Sequence, residues 1–173
     1  MFYIIKTAPR NFGLLWTKAN CSVTDPYYVA EFSCEIIPLP KEKSNYLDPA
    51  IRFSRDIKQL VLDFRIVMER GNQKNFELLK FKADGCNILN KQAKNPIMNA
   101  MFKRVFQASN FPSRCPIKGN ITYKTDKFAI DPESFPMYTP EMNFTTKLYF
   151  YSEKKTLMAT GSMDTAVFNK GAN

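Results

Sequence analysis

Residues 60–69 read LVLDFRIVME, and their period decides the fold class. Leu60, Leu62, Phe64, Ile66 and Met68 share one face of an extended chain, while Asp63, Arg65 and Glu69 share the other. A helix of 3.6 residues per turn would scatter that apolar set around its circumference, so the stretch predicts a strand with one buried face. Working outward, Phe144, Thr146, Leu148 and Phe150 repeat the alternation. Ser152-Glu153-Lys154-Lys155 then supplies a polar turn, and 157–168 reads as a strand returning antiparallel. Toward the N-terminus, 16–23 and 28–37 flank Asp25-Pro26, which predicts a hairpin turned by proline.

One segment departs from the β pattern. Ile97, Met98, Met101, Phe102, Val105 and Phe106 form an apolar stripe at helical spacing, with Asn99, Lys103, Arg104 and Gln107 opposite. Asn95 suits the N-cap and Pro96 the first helical position; the helix should end near Ser109-Asn110, before Pro112. Pro38-Leu39-Pro40 and the proline-rich 131–140 read as connections. Several short strands and one amphipathic helix, with no compositional break or internal repeat, predict a mostly β, immunoglobulin-like two-sheet sandwich or cup. We assign 16–173 to this single domain and 1–15 to an N-terminal segment.

The four cysteines, Cys21, Cys34, Cys86 and Cys115, contain no C-x-x-C pair, and there is no His to join them at a metal. A two-disulfide framework is the better reading than zinc or redox chemistry. Cys21 and Cys34 lie on the two arms around Asp25-Pro26 and are expected to pair. Cys86 and Cys115 bracket the helix and form the second pair, closing a loop worth on the order of 3 to 4 kcal/mol.

Zero His removes Ser-His and Cys-His nucleophiles and histidine zinc sites, and the 16 acids are dispersed beside Lys and Arg. The chain is therefore read as no enzyme, with neither cofactor nor metal. A formal charge of +9 invites anionic partners, yet the positives are scattered, and no nucleic-acid module is recognisable. Sequons at Asn20, Asn120 and Asn143, taken with the even cysteine count, point to the secretory pathway. Asn120 and Asn143 are the expected glycan sites, since Asn20 adjoins a bridged cysteine. Phe2 to Ile5 is too short a run for a signal-peptide core, which leaves open whether the chain is a mature form or starts incompletely.

Asp84-Gly85-Cys86, Asn95-Pro96, Ser109-Asn110 and Cys115-Pro116, with Pro136, Pro140 and the last two strands, resemble an insect secreted family of unknown function. That family includes the CheB chemosensory proteins and is similar to the ML lipid-recognition superfamily. The resemblance implies a sandwich opened into a cup, an apolar cavity that receives lipid tails, and secretion through a signal peptide.

On this reading the protein is a monomeric, non-catalytic carrier or membrane-receptor accessory for a lipid or apolar semiochemical. Phe64, Ile66, Met101, Phe102, Phe106, Leu148 and Phe150 are the expected lining. Apolar stripes ordinarily pack against one another, so for any single residue a closed core is the commoner outcome. The alternative is an extracellular module without internal ligand that docks an acidic receptor or glycan, to which Tyr149 and Tyr151 beside Lys147 would contribute.

Overall fold

The computed structural model describes residues 10–41, 43–90 and 96–171; the side chains of 96–101 and 134 lie outside the description. Eight strands form two antiparallel sheets, as the alternating stretches require. The larger runs in the order β1 (Phe12–Val23), β8 (Leu157–Asn169), β7 (Met142–Ser152), β4 (Leu60–Met68) and β5 (Phe76–Asp84). The smaller runs β2 (Val29–Leu39), β3 (Ser44–Phe53) and β6 (Thr122–Lys124). Between β5 and β6 the chain forms a short helix α1 (Gly85–Leu89) and the amphipathic helix α2 (Pro96–Gln107). The sequence predicted α2 but not α1, whose N-terminus is capped by the Asp84 carboxylate accepting from the Cys86 and Asn87 N–H groups at 2.8 and 3.3 Å. The predicted N-cap Asn95 lies outside the described residues, and β1 already begins at Phe12, ahead of the Trp16 boundary.

The decisive stretch is β4, flanked by β7 with Phe64 opposite Leu148 and by β5 with Phe64 opposite Phe81. β7 and β8 form the expected C-terminal pair, making β7 the central strand of the larger sheet.

The N-terminal hairpin is corrected. β1 pairs with β8 and β2 with β3, so the Asp25-Pro26 turn carries the chain from one sheet to the other. The turn is held by Val29 N–H on the Asp25 carbonyl and by Thr24 and Asp25 N–H on the Met158 carbonyl. These last bonds commit β1 to β8 before β2 begins. Turn chemistry specifies a reversal, not which sheet the chain enters next.

Both cysteine pairs are bonded as expected, with Cα separations of 5.6 Å for Cys21–Cys34 and 5.5 Å for Cys86–Cys115. The first joins one sheet to the other rather than two arms of a hairpin. The second ties α1 to the segment after α2. The densest core lies at the end of the sandwich near this second disulfide, where Val29, Phe53, Ile117 and Met158 are at most 1% exposed. Gly119 fits there because a Cβ would sit 2.6 Å from the Arg55 backbone, which has no side-chain freedom to yield.

Candidate ligand-binding site

The two margins of the sandwich are closed differently. At the β1/β2 margin the sheets are joined by Cys21–Cys34 and by Asn45, whose side-chain amide accepts from Trp16 N–H at 3.0 Å and donates to the Trp16 carbonyl at 2.8 Å. Asn45 thus imitates a strand backbone where the β1–β8 register slips between Trp16 and Lys18. At the opposite margin no Cα of β4 or β5 comes within 8 Å of β2, β3 or β6 among the described residues. Side chains bridge that gap.

The bridge is a file of aromatic rings. Phe81 stacks on Phe64 at 5.1 Å, Phe64 meets Phe102 edge-on at 6.0 Å, and Phe102 stacks on Phe106 at 5.9 Å. Phe106 then meets Phe111 at 5.7 Å, and Phe111 stacks on Tyr123 at 4.8 Å, reaching the smaller sheet. The file ends at Phe53, 6.4 Å from Tyr123. Such offset and edge-on pairs are favourable beyond their buried area. Tyr123 is anchored by its hydroxyl donating to the Lys118 carbonyl at 2.9 Å, and burial pushes its pKa up.

Burial along this region is incomplete in a telling place. Leu148 and Phe150 project from β7 toward the smaller sheet, as their pairing with Phe64 and Leu62 requires. β7 is flanked by two strands on each side, so an inward side chain on it should be sealed in a closed sandwich. Both are only half-buried, as are Phe81, Phe102, Phe106 and Phe111 along the file. Both still touch the opposite layer, Phe150 meeting Phe32 of β2 edge-on at 5.6 Å and Leu148 packing with Leu47 of β3, so the three strands of the smaller sheet cover this inward face of the five-stranded one incompletely.

Of the predicted lining, Phe102, Phe106, Leu148 and Phe150 pack around Leu62 and Ile88, with Phe64 joined to them through Phe102. Ile66 shares their sheet face but packs farther along, with Phe12, Phe144 and Phe135. Met101 lies on α2, and its side chain is outside the described residues. Sequence reasoning missed Phe81, Phe111 and Tyr123. Phe81 could have been found from the alternation of Leu79, Phe81 and Ala83, whereas Phe111 and Tyr123 sit in segments too short to show a period.

α2 is tied down on its exposed side by Arg104, which pairs with Asp131 at 2.6 Å in the loop preceding a 3-10 turn, Pro132–Ser134. Burial raises the Asp131 pKa, but the Glu133 N–H and the Arg104 guanidinium outweigh it, so the carboxyl lies below its ordinary value. A separate cleft of about 530 Å³, lined by Asn11, Phe12, Met137, Tyr138, Thr139, Pro140, Glu141 and Asn169, contains none of the predicted lining residues. Among the described residues no three His, Cys, Asp or Glu side chains are grouped as metal ligands would be, and no helix is long and apolar enough to cross a membrane.

Residues 62–146, which include most of this site, match the model of a family described as a protein of unknown function (DUF1091). No curated protein matches the chain. Among solved structures, the chain is similar to chicken MD-1 complexed with lipid IVa, at 16% identity and a TM-score of 0.40, with 94% of each chain covered. It is also similar to a Niemann-Pick type C2 protein from the Japanese carpenter ant, at 15% identity and a TM-score of 0.35, covering 94% of this chain and 97% of that one. Likenesses this low carry no function from either protein to this chain.

Proposed function

We propose that the protein is a secreted, non-catalytic binding protein that takes a lipid or similar hydrophobic small molecule between its sheets. The observation that carries this reading is the partial exposure of Leu148 and Phe150 on the inward face of the central strand β7. Phe64, Phe102, Phe106, Leu148 and Phe150 form the wall, Ile66 extends it along the same sheet face, and Met101 belongs to the covering helix. Every group named is apolar, which suits a hydrocarbon chain or ring system and offers no acid, base or nucleophile for catalysis.

Two disulfides in a domain of this size favour an oxidising compartment. The sequon residues Asn120 and Asn143 are both exposed, and we assign them as glycan sites. The ligand is an apolar semiochemical if the protein serves chemosensation in an insect, with a membrane receptor as the recipient of a monomeric carrier.

Displacement of a fluorescent fatty-acid probe tests the reading, together with native mass spectrometry of protein from a eukaryotic secretory host. Saturable probe binding and a retained lipid are expected. A protein that binds no probe, carries no lipid and shows free thiols would overturn it.

A further inference from the structure

The outer face of the larger sheet carries a second feature, independent of any internal ligand. Strand register places Lys80, Arg65 and Lys147 directly opposite one another across β5, β4 and β7 on the solvent side. The next row holds Lys82, Asp63 and Tyr149, and Tyr151 follows beyond it. Adjacent strands are about 4.8 Å apart, so three cations lie across roughly 10 Å of sheet. Like charges set directly opposite are destabilising unless something compensates them.

The compensation within the protein is partial. Asp63 is completely buried on this outward face and accepts from Arg65 Nε and an Arg65 terminal nitrogen at 3.0 and 2.9 Å. Arg65 lies over the Tyr149 ring at 5.1 Å. That clamp neutralises one cation and fixes its position. The other carboxylates of this face have other roles or stand off: Asp84 caps α1, Asp164 and Glu69 face the Thr145 hydroxyl as acceptors at 2.7 and 3.3 Å, and Glu77 acts on Arg65 only through space. Among the described residues, Lys80, Lys82 and Lys147 have no carboxylate within 4.0 Å. Lys82 instead lies 6.0 Å from the Tyr151 ring.

We propose that this face binds an acidic polysaccharide, its sulfate or carboxylate groups spanning the Lys80–Lys147 row and Lys82 and its sugar rings lying on Tyr149 and Tyr151. A protein partner would look for an apolar anchor at the centre of the patch. Of the large exposed apolar side chains, Leu78 and Phe76 lie on β5 at the edge of the patch, beyond Lys80, and Tyr27, Leu39, Ile121, Met137 and Tyr138 lie on other segments, so none stands at its centre. What the patch offers is charge and flat aromatic edges on a rigid sheet, which fits a polyanion held by electrostatics.

The test compares Lys80→Gln/Lys82→Gln/Lys147→Gln with a control of equal charge change, Lys58→Gln/Lys124→Gln/Lys154→Gln, both on the full chain and both checked by near-UV circular dichroism. The probe is a heparin fragment at about 0.15 M salt, where only clustered charges act strongly. The first variant should bind about tenfold more weakly with a shallower salt dependence, and the control should change less than about twofold. Equal loss in both would reduce the effect to net charge and overturn the proposal, as would no loss in either. Unchanged heparin binding with lost binding to anionic vesicles would reassign the face to a membrane. Heparin affinity does not involve the interior, so its outcome is separable from that of the fatty-acid probe.

Discussion

The two margins of this sandwich solve the same problem with different means. At the β1/β2 margin the sheets are fastened by a covalent bond and by the Asn45 amide on the Trp16 backbone, contacts with fixed geometry and no slack. At the β4/β5 margin rings on a helix and its following loop span the gap, and the covalent and backbone fastening there, Cys86–Cys115 and the Ile57–Ile117 bridge, lies at one end. Backbone and disulfide closure leaves one geometry, whereas ring-on-ring contacts are individually weak and can be remade around an inserted molecule. On the proposed function, the fixed margin serves as the hinge and the ring-bridged margin as the cover.

The strongest way to break the comparison is to empty each packing in turn. Trp16 is 6% exposed at the β1/β2 margin, where it packs with Leu47 and Cys34, so Trp16→Ala should cost roughly 3 to 5 kcal/mol. Phe106 is half-buried at the open margin, and Phe106→Ala should cost only about 1 to 2 kcal/mol while changing fatty-acid probe affinity. Denaturant midpoints and probe titrations on both variants decide it. Equal destabilisation without a probe effect would mean that both margins are closed core.

The disulfides provide the next contrast. Removing Cys21–Cys34, with a separation of 13 residues, should cost about 3 kcal/mol, and removing Cys86–Cys115, with 29, about 3.5 kcal/mol. Those losses are too close to separate the pairs. Probe binding should separate them: Cys86→Ser/Cys115→Ser loosens the segments flanking the cover and should alter affinity, while Cys21→Ser/Cys34→Ser leaves the aromatic file intact. The same change in both would remove the distinction between hinge and cover.

What the sequence made legible follows from where a period exists. The alternation in 60–69 and in the C-terminal strands stated which side chains face inward, and the stripe of α2 put Phe102 and Phe106 against the core. Phe64, Leu148 and Phe150 were therefore placed correctly on the inward side. Ile66 was placed on the right face but not in the right cluster, because a period fixes direction and says nothing of position along the sandwich. The hairpin reading failed for a related reason: two strands and a turn are compatible with one sheet or two, and the hydrogen bonds that decide come from Met158, far away in the chain.

Asp63 shows a different limit. Alternation puts it outward, correctly, and composition then suggests exposure, yet it is fully buried because Arg65 two residues on folds over it. Asp63→Asn should cost about 2 kcal/mol by leaving the guanidinium without its carboxylate. The hydrogen bonds from Arg65 hold the Asp63 pKa below its ordinary value near 3.8, against the opposing effect of burial. A depressed carboxylate contributes stability that is complete above its unfolded pKa and is lost as pH falls through the folded one. The parent should thus lose stability below about pH 4, and Asp63→Asn should flatten that part of the acid limb. An unchanged acid limb would show the pair to be energetically silent.

The smallest effect bears most directly on whether α2 is a cover that moves. Arg104 is more than half exposed, so its pair with Asp131 belongs to the class of surface ion pairs worth at most about 1 kcal/mol. Arg104→Gln should barely move the denaturation midpoint. Its consequence is kinetic, because this ion pair joins α2 to the loop before the 3-10 turn on the solvent side of the helix. Releasing it should speed dissociation of the fatty-acid probe by about two- to fivefold, the range that up to 1 kcal/mol allows. Without Arg104, burial of Asp131 is less opposed, so the Asp131 pKa should rise and its share of stability should disappear at a higher pH than in the parent. Lys103→Gln removes the same charge from the neighbouring exposed position of the same helix and serves as the control. Stopped-flow release that quickens in Arg104→Gln and not in Lys103→Gln identifies the ion pair as a latch on the open margin. Identical rates in all three proteins would leave the aromatic file from Phe64 to Tyr123 as what holds the cover in place.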